Sequence, residues 1–295
     1  MAKRTSKPVT HSYGFGAFER PADWKRSKVC IIPVPYDSTT SFMAGARRGP
    51  EAIFAASKNL ELFDSELMQD TSRCGIYTMG ELEPNVNSRR ENAEAVEAAV
   101  ARVLKAGKFP VTIGGDHSIT LGAVRAAKKK FPGIGMLVFD AHPDLMDEFE
   151  GSRFGHANVT RRVHELGVTV ALAGVRTAAR DELDYARQNN LVIVHPRDLL
   201  KNPEAIHRAL SALPRRIYLS IDIDVLDPSE MPATGAPEPG GLRWYDMMDI
   251  LHRVVAEKQI VGFDVVELCP IPGNVAPDFL ACKLIYRLIG LINGA

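Results

Sequence analysis

The chain has 295 residues, 45% of them hydrophobic and 24% charged, a balance that excludes a disordered chain and a collagen-like repeat. Lys+Arg and Asp+Glu are both 36, so the basic excess of a protein that grips a nucleic-acid backbone is missing, and no apolar run approaches the ~20 residues of a membrane span. Four scattered cysteines, Cys30, Cys74, Cys269 and Cys282, show no CxxC spacing, which argues against a disulfide framework or a cysteine zinc site and fits a reducing cytoplasm.

Residues 1–27 are rich in Lys and Arg and carry no apolar core followed by a small-residue cleavage site, so a basic N-terminal arm is expected there, not a secretory signal. From residue 28 to 295 short apolar runs alternate with helical periodicity, the pattern of one α/β domain with a parallel sheet covered on both faces. Strands are predicted over 29–33, 75–79, 110–113, 134–139, 168–173, 191–194, 216–223 and 260–266. Their apolar residues run nearly continuously, as in strands buried on both sides. Between the second and third strands, Ser88 and Glu91 have capping-box spacing and Val96, Val100 and Leu104 line one helical face, with Gly107 as the stop. Further helices are predicted over 119–130, 180–189, 202–212 with Pro203 at the first helical position, 244–256 and 276–292. Two segments dense in Pro and Gly, 226–242 and 270–277, break the pattern after strand ends, where open α/β sheets bind ligands.

Three polar motifs sit at those ends. Gly114-Gly115-Asp116-His117-Ser118 leaves the third strand, Asp140-Ala141-His142-Pro143-Asp144 the fourth, and Asp222-Ile223-Asp224-Val225-Leu226-Asp227-Pro228 ends the seventh. Because strand side chains alternate, Asp140 with His142, and Asp222 with Asp224, can project on one side. Taken singly, each motif could be a turn or a helix cap. Together they direct His117, Asp140, His142, Asp144, Asp222 and Asp224 toward one point, and four clustered carboxylates repel one another unless positive charge lies among them. Two divalent cations supply it. An imidazole and carboxylate set without thiolate suits Mn²⁺, and Fe²⁺, Zn²⁺, Co²⁺ or Ni²⁺ less closely.

The three motifs resemble the metal signatures of the ureohydrolase superfamily, that of arginase, agmatinase and their relatives. Further matching stretches are residues 32–40, 45–50, 237–241 and Asp264-Val265-Val266-Glu267, and they look most like the agmatinase branch. The resemblance implies a three-layer α/β/α sandwich with an eight-stranded mostly parallel sheet, two Mn²⁺ per chain, and a homotrimer or homohexamer. It implies that His117, Asp140, Asp144 and Asp222 hold one ion and His142, Asp140, Asp222 and Asp224 the other. A shared water, ionised near neutral pH, would attack a guanidinium carbon and release urea. Glu267 matches the carboxylate that pairs with the guanidinium, Asp144 the residue that passes a proton to the leaving amine, and His156 the proton shuttle to solvent.

Arginase-like members follow the DxHxD motif with Asn- and Ser-bearing segments that hold a substrate carboxylate. This chain has Asp144-Leu145-Met146-Asp147-Glu148-Phe149-Glu150 instead. An acidic loop containing Asp147 suits a distal ammonium, so agmatine, cleaved to urea and putrescine, is the expected substrate. Arg153, close to His156, offers the competing reading of a carboxylate holder and 4-guanidinobutyrate. Aminopropylagmatine and arginine are also candidate substrates within the superfamily. A non-catalytic polyamine sensor would be a protein of a different class, but such relatives usually lack a ligand, and here all six stand beside Glu267 and His156.

Overall fold

The computed structural model describes residues 14–16, 23–85 and 87–294. Most of the basic arm expected over residues 1–27 lies outside these. Within the described part, Phe15 is buried, its ring 6.4 Å from that of Tyr286, and the Gly16 N–H donates to Ser57 Oγ at 2.7 Å, so this short piece packs on the core instead of being solvated.

The strands are β1 Val29–Val34, β2 Phe63–Asp64, β3 Gln69–Asp70, β4 Ile76–Thr78, β5 Phe109–Gly114, β6 Gly135–Phe139, β7 Thr169–Ala173, β8 Val192–Val194, β9 Arg216–Asp222 and β10 Gln259–Val266. Eight of them form one sheet in the order β4-β1-β5-β10-β9-β6-β7-β8, with every pairing parallel, and β2 and β3 make a separate antiparallel hairpin. The eight sheet strands match the eight apolar runs of the sequence. The helices are α1 Gly49–Ser57, α2 Arg89–Lys105, α3 Thr120–Lys130, α4 Val159–Glu165, α5 Arg180–Gln188, α6 Pro196–Lys201, α7 His207–Ala212, α8 Trp244–Glu257 and α9 Ala276–Asn293.

Alternation along the strands builds two cores. Val29, Ile31, Leu137 and Phe139 face one side, with α1, α8 and α9; Cys30, Ile32, Met136 and Val138 face the other, with α2, α3 and α4. The result is a three-layer α/β/α arrangement in which each inner strand is covered twice. Helix α2 begins as its sequence indicates, with Ser88 Oγ accepting from the Glu91 N–H at 3.2 Å, and it ends at Gly107, whose φ of 71° is the left-handed value a C′ glycine supplies. The short helices α1, α4 and α6 escape the periodicity reading because two turns are too few to establish a period. The stretch predicted over 202–212 divides into a 3₁₀ turn, Pro203–Ile206, and α7. Among the described residues no helix is long and apolar enough to cross a membrane.

The hairpin β2–β3 is fixed to α9 by a buried ion pair. Arg287 Nε and Nη2 donate to Asp64 at 2.9 and 3.2 Å, and Nη1 reaches Glu66 at 2.7 Å. Burial raises the Asp64 pKa, but Arg287 and the N–H groups of Leu67 and Glu66 outweigh it, and the net shift is downward. Stability from this pair is therefore fully present above the ordinary carboxylate range and lost as pH falls through the lowered native value. Arg287→Leu strands a buried charge and is expected to cost about 3–5 kcal/mol. Urea melts at pH 7 and pH 4 test this: the deficit should shrink at the lower pH, as the stranded carboxyl takes up a proton.

Candidate active site

The strands β5, β10, β9 and β6 are neighbours, and their registers (Val265 beside Ile113, Val266 beside Asp222, Phe139 beside Ile221) bring their carboxyl ends level. Each end leads into a site segment. His117 opens the 3₁₀ turn before α3, Glu267 follows β10, Asp222 ends β9 with Asp224 in the next turn, and Asp140, His142 and Asp144 follow β6. The turn after β5 requires glycine at 115, because a Cβ there would lie 1.9 Å from the Tyr36 carbonyl oxygen. Without a side chain, Gly115 N donates to Val34 O at 2.9 Å and Asp116 N to Tyr36 O at 2.7 Å, which locks this turn against the segment after β1.

The six residues singled out from the sequence as ligands converge in two groups. His117 Nδ1 lies 3.0 Å from Asp140 Oδ2, 3.0 Å from Asp144 Oδ2 and 3.4 Å from Asp222 Oδ2. His142 Nδ1 lies 3.0 Å from Asp224 Oδ2 and 3.5 Å from Asp140 Oδ1. Asp140 thus belongs to both groups, one oxygen toward each histidine. Three of the aspartates divide their oxygens in the same way. Oδ1 of Asp140, Asp222 and Asp224 accepts a backbone N–H, from His142 at 2.6 Å, Asp224 at 2.9 Å and Ala141 at 2.9 Å, and Oδ2 of each lies beside a histidine Nδ1. His117 Nδ1 and Asp140 Oδ2 are buried without a hydrogen-bond partner. Buried polar atoms are seldom left in that state, and converging donor atoms that do not bond to one another fit a cation.

The electrostatics agree. Burial opposes charge on His117, yet Asp140, Asp144 and Asp222 raise its pKa well above the ordinary value, and for His142 Asp140 and Asp224 push it up to about 12 against the same opposition. Burial raises Asp144, with Asp140 adding to the shift, and raises Asp222 strongly, with Asp224 and Asp140 adding. Asp140 moves down despite burial because both histidines face it. Left to itself the cluster gathers protons, so positive charge is what it lacks. Asp144 and Glu267 also hold left-handed backbone, φ 53° and 66°, which for side-chain-bearing residues costs about 1–3 kcal/mol each and persists only where neighbours fix it. Here Glu267 N donates to Gly115 O at 2.7 Å, and Glu267 Oε1 accepts the His117 N–H at 2.7 Å.

His117 is oriented from behind. Its Nε2 lies 2.9 Å from Ser220 Oγ, which donates to Asp264 Oδ1 at 2.6 Å, and Thr120 Oγ1 donates to Asp264 Oδ2 at 2.9 Å. With the Ser220 proton on Asp264, Nε2 is the donor and Nδ1 keeps its lone pair for the centre. Ser220→Ala removes that acceptor and is expected to weaken metal binding by about 10- to 100-fold. Competition titration against a chelator measures it, and unchanged affinity would separate Ser220 from the metal site.

A cavity of about 180 Å³, open to solvent, leads to the cluster and is lined by Asp144, Asp222, Asp224, Glu267, Glu182, His117, His142 and His156, with Phe42, Met43, Met146, Phe149 and Ala236 as apolar walls. His156 and Glu267 thus both face this cavity. Asp147 and Arg153 do not. Asp147 accepts from Arg162 at 2.7 Å and lies 3.0 Å from Arg153, which also pairs with Glu165, and neither lines the cavity. The Arg162 guanidinium, with Arg161 and Arg153 beside it, holds the Asp147 carboxyl below its ordinary range. Their charges neutralise one another against α4, and the side chains that this loop gives to the cavity are Met146 and Phe149.

Two contributors were not visible as such in the sequence. Glu182 accepts the N–H groups of Leu145 and Ala179 at 2.9 Å each, tying the loop after Asp144 to the start of α5, and burial pushes its pKa up to about 7. Arg176 donates to the carbonyls of Asp224 at 2.6 Å and Glu238 at 2.7 Å, and so holds the Pro- and Gly-rich segment 226–242 against a metal-ligand turn. Glu182 falls at the N3 position of a capping box, a readable signal of helix start alone.

Fold and site together define a parallel α/β protein with two adjoining His/Asp groups, each able to hold a metal ion, at the carboxyl ends of its strands. The arginase family profile matches residues 27–290, and the chain belongs to that family. It is a ureohydrolase near the agmatinase branch. The chain is 39% identical over 274 residues to the N(1)-aminopropylagmatine ureohydrolase of Synechocystis sp., covering 89% of this chain and 88% of that protein. It is 37% identical over 270 residues to the agmatinase of Pyrococcus horikoshii, covering 91% and 93%. The crystal structure of the agmatine ureohydrolase of Thermoplasma volcanium superposes with a TM-score of 0.84 at 30% identity, covering 94% of this chain and 95% of that one.

Proposed function

We propose that the chain is a manganese-dependent hydrolase of an aliphatic guanidino amine, releasing urea and a polyamine, with agmatine as the minimal substrate. The observation that carries this is the lining of the cavity: beyond the aspartates that would hold metal it carries Glu267 and Glu182, and no Lys or Arg lines it among the described residues. A guanidinium and a distal ammonium both suit such a wall. A distal carboxylate, as in arginine or 4-guanidinobutyrate, would meet no Lys or Arg there, and each acid facing it at about 6 Å would cost roughly 2–3 kcal/mol at an effective dielectric of 20. N1-aminopropylagmatine is the second reading, favoured by the name of the Synechocystis relative.

His117, Asp140, His142, Asp144, Asp222 and Asp224 would hold the divalent ions, whose charge, when bound, would let a water ionise near neutral pH. The residues of the chain do the rest. Glu267, with Oε1 held by the His117 N–H, offers its other oxygen to the planar guanidinium. Asp144, a member of the His117 group that also lines the cavity, would pass a proton to the departing amine. His156, which also lines the cavity, would exchange protons with solvent. The apolar side chains Phe42, Met43, Met146 and Phe149 pack the methylene chain. Assembly as a homotrimer or homohexamer belongs to the same reading.

Urea release from Mn²⁺-loaded protein tests it on agmatine, N1-aminopropylagmatine, arginine and 4-guanidinobutyrate. Both amines should be hydrolysed, with kcat/KM for the two acids lower by about 30-fold or more, the equivalent of one uncompensated carboxylate contact. Arginine turned over as well as either amine would defeat the reading.

A further inference from the structure

His156 is gripped by a segment that the metal motifs do not explain. Its backbone N–H donates to Thr39 Oγ1 at 3.0 Å, and its ring Nδ1 lies 3.3 Å from the same oxygen. Thr39 Oγ1 is in turn 2.8 Å from Asp116 Oδ2, which also accepts the Thr39 N–H at 3.0 Å. The other oxygen of Asp116 accepts the Ser118 N–H at 3.1 Å and the Ser118 hydroxyl. Asp116 and Thr39 are both buried. Although Asp116 adjoins His117 in sequence, its oxygens are occupied by donors on the far side of the turn and it belongs to neither ligand group.

A hydroxyl has one proton and two lone pairs. Asp116, ringed by four donors, takes the Thr39 proton. Both remaining lone pairs of Thr39 Oγ1 then face His156, one receiving its backbone N–H and the other facing Nδ1. Two lone pairs cannot bond to each other, so Nδ1 must carry the ring proton. The Phe149 ring packs against this imidazole, with centroids 5.6 Å apart and planes at 83°. Nε2 is then left unprotonated on the ring that lines the cavity.

We propose that Thr39 and Asp116 are positioning residues that fix His156 as its Nδ1–H tautomer, so that Nε2 is the atom that accepts a proton in the cavity. When Nε2 takes a proton the ring becomes an imidazolium with Nδ1–H still bonded to Thr39, and returning that same proton to solvent restores the starting tautomer, so nothing is consumed. The catalytic consequence rests on the proton-carrying role proposed above for His156; the tautomer itself does not.

The test is ¹⁵N solid-state NMR of Mg²⁺-loaded protein carrying ¹⁵N-histidine, with the His156 signals assigned by difference from His156→Asn. Wild type should show a protonated Nδ1 and an unprotonated Nε2 for His156 above the ring's pKa. Thr39→Val keeps the branched shape and removes both lone pairs; it should shift His156 toward the Nε2–H form and lower kcat on the Mn²⁺ enzyme by about tenfold, part of the 10²–10⁴ that a general base supplies, with little change in KM. Thr39→Ser should restore both readouts. A wild-type His156 with Nε2 protonated overturns the proposal, and this holds whether or not the valine variant folds. So does a folded Thr39→Val that keeps Nδ1–H. Normal turnover by His156→Asn alongside an Nδ1–H wild-type ring would sustain the tautomer and remove only the proton-carrying role.

Discussion

Glu267→Gln should lower kcat/KM on a guanidino amine by roughly 30- to several-thousand-fold, from the about 2–5 kcal/mol lost when one partner of a desolvated charge pair is neutralised. The amide oxygen can still take the His117 N–H that Glu267 Oε1 accepts at 2.7 Å, so the turn carrying His117 stays in place and metal content should not change. What changes is the other end of the group. An amide NH₂ would face the guanidinium, donor against donor, where a carboxylate accepted from it. Elemental analysis and steady-state kinetics together decide the matter: near-normal turnover removes Glu267 from substrate binding, whereas loss of metal along with activity makes it a structural support of the centre.

Asp140→Ala should abolish both metal binding and activity, an effect well beyond the roughly 10- to 100-fold expected from an outer hydrogen-bonding partner. Asp140 is the residue common to the two ligand groups, with Oδ2 beside His117 and Oδ1 beside His142. His117→Asn touches one group only and should weaken one ion while leaving the second bound. Metal analysis after reconstitution and desalting distinguishes the variants. Equal losses from both would mean that the groups fill as a single cooperative unit, and two tightly held ions in the Asp140 variant would defeat the bridging assignment.

The sheet was legible in the chain because its strands are short, apolar on both faces and separated by capped helices, which are local properties that hydrophobic patterning records. The ligand motifs were legible for a related reason. Asp140, His142 and Asp144 lie within five residues, Asp222 and Asp224 within three, and each set leaves a strand end, so backbone geometry alone aims them together. That four of these ends lie side by side depends on the order β5-β10-β9-β6, a long-range arrangement that the sequence implied only through the family it resembles.

The cavity wall was decided by tertiary structure. Asp147 and Arg153 were read as substrate contacts because they are charged and close in sequence to the site, but charge says nothing of direction, and the arginines of α4 draw Asp147 outward at 2.7 Å from Arg162. In the sequence Glu182 is one residue of the predicted helix 180–189, and Thr39 one residue of the matching stretch 32–40. Their contacts, to Leu145 across 37 positions and to Asp116 across 77, come only from packing distant loops at one sheet edge. Residue type and spacing thus specified what chemistry the centre can hold; which groups surround the substrate was left to the fold, because the partners of a loop side chain are chosen by whatever elements the sheet order places beside it.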